Sequence, residues 1–117
     1  MNEGTIDLNE FLERVQGDKE LLLELLDIFV DDFQSKRKLL QSAVSKNDYE
    51  QIRGIAHALK GASGNISAKG LRELLLHCEK MGNNQDLGGM EDLLKQLDKE
   101  FERVAAHIEV LKQSLKS

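Results

Sequence analysis

The chain has 117 residues, a formal net charge of −5, and neither proline nor tryptophan. This length favours a single domain, residues 1–117, built around one hydrophobic core. The acidic balance argues against nucleic-acid binding, and the lack of a long apolar run argues against a membrane span.

The single cysteine, Cys78, cannot form an internal disulfide and lies in an apolar stripe, which predicts a buried side chain. A free cysteine fits a reducing compartment. The acidic start, Met1 to Gly4, does not resemble a secretory signal peptide. We therefore expect a cytoplasmic protein.

Two helices are predicted in the first part of the chain. A short helix begins near Asp7, which has Glu10 in capping-box spacing, and ends at Gly17. Asp18 then caps a long helix to about Lys46, because apolar residues recur there every three or four positions.

A third helix begins at Asp48, which again has capping-box spacing, and runs to about Ile66. Ser67 is expected to cap a fourth helix over residues 68–81, with Gly82 as its C-terminal stop. These two helices are separated by a very short turn.

The last helix starts near Met90 and is long enough to extend past its neighbours. Four long helices joined by short polar turns predict an all-α fold. The simplest arrangement is an antiparallel up-down four-helix bundle, with the short additional N-terminal helix covering one end.

The third helix carries the most informative segment of the sequence. Its apolar side holds Ile52, Ile55, Leu59, Ala62 and Ile66, and its opposite side holds Arg53, Gly54, His57, Lys60, Gly61 and Gly64. Glycine inside a helix costs about 1 kcal/mol relative to alanine. Three glycines on an exposed side therefore indicate that something large approaches His57.

An exposed imidazole is a nucleophile, and its two nitrogens can be distinguished by hydrogen bonding. Lys60, three residues after His57, offers a positive charge on the same side of the helix. This combination suits a transient phosphoryl adduct. From spacing alone, a surface histidine without a role is an equally good interpretation.

The segment His57-Ala-Leu-Lys60-Gly61-Ala62-Ser63 resembles the signature of the histidine-containing phosphotransfer (HPt) domain, H-x-L-K-G-S-S-x-x-x-G. The stretch Gly17-Asp18-Lys-Glu-Leu-Leu is similar to the start of that family's second helix. Two positions depart from the pattern: Ala62 stands where serine is common, and Ser67 stands where the later glycine is common.

The resemblance implies a phosphorelay intermediate. His57 would accept a phosphoryl group from an aspartate of one receiver domain and pass it to an aspartate of another. Lys60 would compensate the phosphoryl charge, and Gly61 and Gly64 would leave room for the partner. The chain would be a carrier without turnover of its own, and so not an enzyme.

The implied partners are receiver domains of response regulators or of hybrid sensor kinases. Mg²⁺ is expected in the receiver domain, whereas this chain is expected to bind no cofactor. Nothing in the sequence demands a dimer, and a monomer is the simpler expectation.

Bundle geometry predicts the surroundings of His57. Counting residues from the turns places Lys36 and Arg37 opposite His57, and Arg72 level with the lysine of the motif. Together with Arg53, these side chains would form a positive patch that attracts the acidic pocket of a receiver. Taken singly, each of them is better explained as an ordinary surface charge, and only their predicted convergence indicates partner docking.

Two other functional classes compete. A helical scaffold could bind a signalling partner without carrying phosphate, but the chain keeps both His57 and Lys60. An enzyme, such as a dimeric histidine kinase core or a phosphatase, could use a histidine on a helical bundle. Autophosphorylation is disfavoured because the chain has no glycine-rich nucleotide loop and no room for an ATP-binding domain. Glu73 and His77 have the spacing of a metal-binding pair, yet no matching pair occurs on another helix, so no metal site is predicted.

Overall fold

The computed structural model describes residues 5–116. Over this range the chain forms five helices and no strand, α1 (Leu8–Arg14), α2 (Lys19–Ser45), α3 (Tyr49–Asn65), α4 (Lys69–Asn83) and α5 (Met90–Lys116). The all-α prediction is confirmed. None of the described helices is both long enough and apolar enough to cross a membrane. The expectation about residues 1–4 lies outside the described residues.

The starts of the first three helices follow the sequence prediction. Asp7, Asp18 and Asp48 each accept a hydrogen bond from the backbone N–H three residues later, at 3.1, 3.0 and 3.2 Å. Each bond satisfies one of the N–H groups that the first turn of a helix leaves without a partner. Local sequence therefore determines where these helices begin.

The start of α4 differs from the prediction, because Ser67 is not its cap. The N-cap residue is Ala68, which offers no side-chain hydrogen bond. Ser67 has a φ of 60°, and its hydroxyl donates to the Glu10 carboxylate at 2.7 Å. Arg14 donates to two carbonyls at the end of α3, each at 2.7 Å. Ser67 thus ties the turn between α3 and α4 to α1.

Gly82 is not the stop of α4, which continues to Asn83. It is buried, and a Cβ added there would lie 3.0 Å from both the backbone nitrogen of Arg53 and Cγ2 of Ile52. Glycine at this position lets α4 approach α3 closely. The contact between these two helices is the most extensive in the described part of the chain.

The core lies between the four long helices. In their principal contacts, α2 packs against α3 and α5, and α4 packs against the same two helices. The largest fully buried side chains include Phe11, Leu22, Leu26, Phe33, Leu40, Ile52, Leu59, Leu71, Leu75, Leu97 and Ile108. Cys78 is buried as predicted, and burial raises the pKa of its thiol to about 11.

Candidate functional site

The two sides of α3 have opposite environments. Ile52, Ala56, Leu59 and Ser63 are buried against the core. His57 lies one residue after Ala56 and therefore points away from that side. Its side chain is 67% exposed. The structure confirms that this histidine is presented to solvent, on a helix held in place by its buried side.

A carboxylate from α4 joins His57 to Lys60. Nδ1 of His57 lies 2.8 Å from Oε2 of Glu79, and Nζ of Lys60 lies 2.6 Å from Oε1 of the same carboxylate. The side chains of Lys60 and Glu79 are only 18% and 19% exposed. The two residues of the motif therefore share one acidic partner, beneath the exposed imidazole.

The Lys60 ammonium holds the pKa of the Glu79 carboxyl below its ordinary value, against the opposing effect of burial, and the hydrogen bond with the imidazole adds to this lowering. Glu79 is thus ionised at neutral pH and can only accept hydrogen bonds. An accepting carboxylate places the proton of a neutral imidazole on Nδ1. Nε2 is then the nitrogen with a free lone pair.

A groove of about 360 Å³ runs beside this trio, between α3 and α4. It is lined by Arg53, Lys60, Leu76, Glu79, Lys80 and Asn83. Three of these side chains are cationic and one is acidic. Arg53 therefore lies next to the site, as the sequence suggests, and Lys80 is an additional cation that the motif did not indicate.

The glycines of α3 fall into two groups. Gly54 and Gly61 are exposed, and a Cβ added at either would meet nothing within 4 Å. Packing within the chain therefore gives no reason for glycine there. Gly64 is different, because a Cβ added to it would lie 3.4 Å from Cδ of Arg72. Gly61 borders open surface beside the motif, whereas Gly64 is partly covered.

The expected placement of Arg37 opposite His57 is wrong. Its guanidinium binds both oxygens of Asp98 in α5, at 2.7 and 3.0 Å. Lys36 pairs with Asp32, one turn earlier in its own helix, at 2.6 Å. Counting residues from a turn gives the height along neighbouring helices, but it does not give the rotation of each helix about its axis.

The expectation that Arg72 lies level with Lys60 is also wrong, by about one helical turn. Arg72 lies against Gly64, whereas Lys60 is paired with Glu79 and lines the same groove as Leu76. The expectation counts from Ile66, whereas α3 ends at residue 65 and α4 begins at residue 69, which centres the turn at residue 67. This correction moves the position opposite Lys60 two residues along α4, which accounts for half of the difference.

Sequence reasoning missed Glu79, which is one of 21 acidic residues and belongs to no motif. The register between α3 and α4 is the signal that could have found it. With the turn centred near residue 67, Glu79 is the acidic residue of α4 closest to His57 along the helix axis.

Within residues 5–116, no group of three or more His, Cys, Asp or Glu side chains is arranged to hold a metal ion.

Comparisons with known proteins agree with the all-helical fold. The sequence matches the family model of the Hpt domain over residues 24–107. The crystal structure of histidine-containing phosphotransfer protein B (HptB) from Pseudomonas aeruginosa PAO1 is similar, with a TM-score of 0.83 and 25% sequence identity. That similarity covers 96% of this chain and 95% of the other. The comparison with curated proteins finds no match.

Proposed function

Because the chain belongs to the Hpt domain family, it acts as a phosphotransfer intermediate in phosphorelays, and we propose that His57 carries the phosphoryl group. The observation that supports this assignment is the exposed imidazole, held through Nδ1 by Glu79 so that Nε2 faces outward as the nucleophile. Family membership favours the phosphocarrier over a scaffold that never carries phosphate.

Acceptance begins with an aspartyl phosphate on a partner. The Nε2 lone pair attacks phosphorus while the bond between phosphorus and the aspartyl oxygen breaks, and its electron pair returns to the aspartate carboxylate. The imidazole ring then carries the phosphoryl group on Nε2 and retains the proton on Nδ1, so it becomes a cation that faces Glu79. Delivery to a second aspartate is the reverse of this step. An exposed nucleophile allows the in-line approach that the reaction requires.

Lys60 has the role of charge compensation in this proposal. Its ammonium lies one turn from His57 on the same side of α3 and is held by Glu79 at 2.6 Å. A phosphoryl group on Nε2 brings two negative charges close to that ammonium. Gly61 leaves open surface on which the partner can approach, and the cations Arg53 and Lys80 favour an acidic partner surface.

The family implies interaction with response-regulator receiver domains or with kinases. We propose that receivers of response regulators or of hybrid sensor kinases are the donors and acceptors, that they supply the Mg²⁺, and that this chain binds no cofactor. We also propose that it acts as a cytoplasmic monomer without autonomous turnover.

For the helix arrangement we propose an antiparallel up-down four-helix bundle with α1 as the short additional helix. The pairwise contacts of α2 to α5 support this arrangement. A single domain across residues 1–117 stays a prediction.

The docking roles of Lys36, Arg37 and Arg72 are the least supported, because Arg37 is engaged by Asp98 and Arg72 covers Gly64.

The assignment is tested by mixing the protein with a phosphorylated receiver domain and measuring label on each protein. His57→Gln should abolish acceptance with little loss of stability, because an exposed side chain contributes little to packing. His77→Gln is the matched control, since His77 is exposed on α4, and it should accept label like the wild type. Unchanged acceptance in the His57 variant would refute the assignment.

A further inference from the structure

Glu79 contacts two different groups in the unphosphorylated protein. Its Oε1 is paired with the Lys60 ammonium, and its Oε2 accepts the hydrogen bond of the imidazole. In this state the charges of Lys60 and Glu79 cancel, and a neutral imidazole donates its Nδ1 proton to the carboxylate. The carboxylate is therefore already in contact with the ring nitrogen opposite the one that receives the phosphoryl group.

Phosphorylation changes the charges around that carboxylate. The phosphoryl group adds negative charge at Nε2, and the adjacent ammonium of Lys60 is attracted to it. The ring, having used the Nε2 lone pair, carries a positive charge for as long as Nδ1 keeps its proton. Glu79, at 2.8 Å from Nδ1, then faces a cationic donor, and hydrogen bonds between charged partners are stronger than neutral ones.

We propose that Glu79 keeps the phosphorylated imidazole protonated at Nδ1 and thereby makes the phosphoryl group labile, so that the phosphorylated state is short-lived and passes its phosphoryl group on readily. This inference rests on the proposed function of His57. It assigns Glu79 as a positioning residue that controls how long His57 stays phosphorylated.

The leaving group explains the effect on lifetime. When water attacks phosphorus, the bond between phosphorus and Nε2 breaks, its electron pair goes to Nε2, and the attacking water loses one proton to solvent. A ring protonated at Nδ1 leaves as neutral imidazole. A ring without that proton would leave as an imidazolate anion, which is a much poorer leaving group. Transfer to an aspartate carboxylate has the same requirement.

The surroundings make Glu79 decisive for this proton. Of the residues lining the groove beside His57, within residues 5–116, Glu79 alone is acidic, whereas Arg53, Lys60 and Lys80 are cationic. The cations disfavour a positive ring. Replacing Glu79 by glutamine keeps an accepting oxygen and the side-chain shape but removes the charge, so the phosphorylated ring would lose its proton more easily.

The test loads His57 chemically with phosphoramidate, which requires no receiver domain, and then follows decay of the phosphohistidine near neutral pH. An opposite charge in contact changes protonation equilibria by roughly tenfold or more, and solvent exposure reduces this effect. We therefore expect Glu79→Gln to lengthen the half-life about three- to tenfold. Glu73→Gln makes the same chemical change at an exposed position of α4 and should decay like the wild type. Decay is first order, so incomplete loading of either variant does not affect the comparison.

A half-life in Glu79→Gln equal to or shorter than that of the wild type would overturn the inference. A second measurement uses the unchanged protein: the ¹⁵N NMR signal of the phosphorylated His57 ring should show a protonated Nδ1 near neutral pH, and a deprotonated Nδ1 would equally refute it. If phosphoramidate instead fails to label His57 in the folded wild type, the proposed function itself fails. The two failures are therefore distinguishable.

Discussion

The close approach of α3 and α4 brings Glu79 to His57, and a single methyl group tests it. In Gly82→Ala the new Cβ would lie 3.0 Å from the Arg53 backbone nitrogen and from Ile52 Cγ2, and 3.2 Å from the carbonyl oxygen of Tyr49. Two of these three neighbours are backbone atoms of a packed helix and cannot turn away. Overpacking of this kind destabilises a protein by about 1–3 kcal/mol.

Gly54→Ala is the matched control, because a Cβ there meets nothing within 4 Å and both glycines lie inside helices. Alanine gains about 1 kcal/mol of helix propensity at Gly54 and no more than this at Gly82, the penultimate residue of α4, so the part of the difference beyond about 1 kcal/mol reports packing. Urea unfolding followed by circular dichroism should show Gly82→Ala less stable than Gly54→Ala by about 1–3 kcal/mol. Equal stabilities would mean that α4 does not need the glycine to pack on α3.

Three further predictions concern access, the α3–α4 turn and pH. Gly61→Gln should slow phosphoryl transfer about tenfold or more, because the new side chain obstructs the partner while the helix is retained. Ala106→Gln makes a similar change at an exposed position of α5 and is the control. A wild-type transfer rate for the Gly61 variant would refute the access argument. Ser67 has a φ of 60°, and substitution by alanine or by glycine removes its hydroxyl, but only alanine keeps the backbone strain. Ser67→Ala should therefore be less stable than Ser67→Gly by about 1 kcal/mol in urea unfolding. The reverse order of stabilities would contradict this explanation. Because Lys60 holds the pKa of Glu79 below the ordinary 4.5, the stability contributed by this ionised carboxylate is present above pH 4.5 and lost as the pH falls through the lowered value. The unfolding free energy of the wild type should therefore fall more steeply with acid than that of Glu79→Gln, and parallel curves would be inconsistent with the pairing.

The features predicted correctly from sequence depend on a few neighbouring residues. An aspartate followed by helix-forming residues supplies its own cap, which is why Asp7, Asp18 and Asp48 mark the helix starts. The exposure of His57 follows from the apolar periodicity of its own helix. Neither inference requires knowledge of another helix.

The features predicted wrongly depend on contacts between distant segments. Ser67 has the composition of a cap, but its hydroxyl is taken by Glu10, 57 residues away in sequence. Gly82 looks like a helix stop, but its role is set by the backbone of α3. The partner of Arg37, which was predicted wrongly, and that of Glu79, which was missed, depend on helix rotation and register, which local patterns do not determine.

The site of phosphorylation is the most direct test of the central claim. The protein is incubated with a phosphorylated receiver domain, kept at alkaline pH to preserve phosphohistidine, and the adduct is located by mass spectrometry and assigned to one ring nitrogen by NMR. We predict a single adduct on Nε2 of His57. An adduct on His77 or His107, or on Nδ1 of His57, would contradict the account.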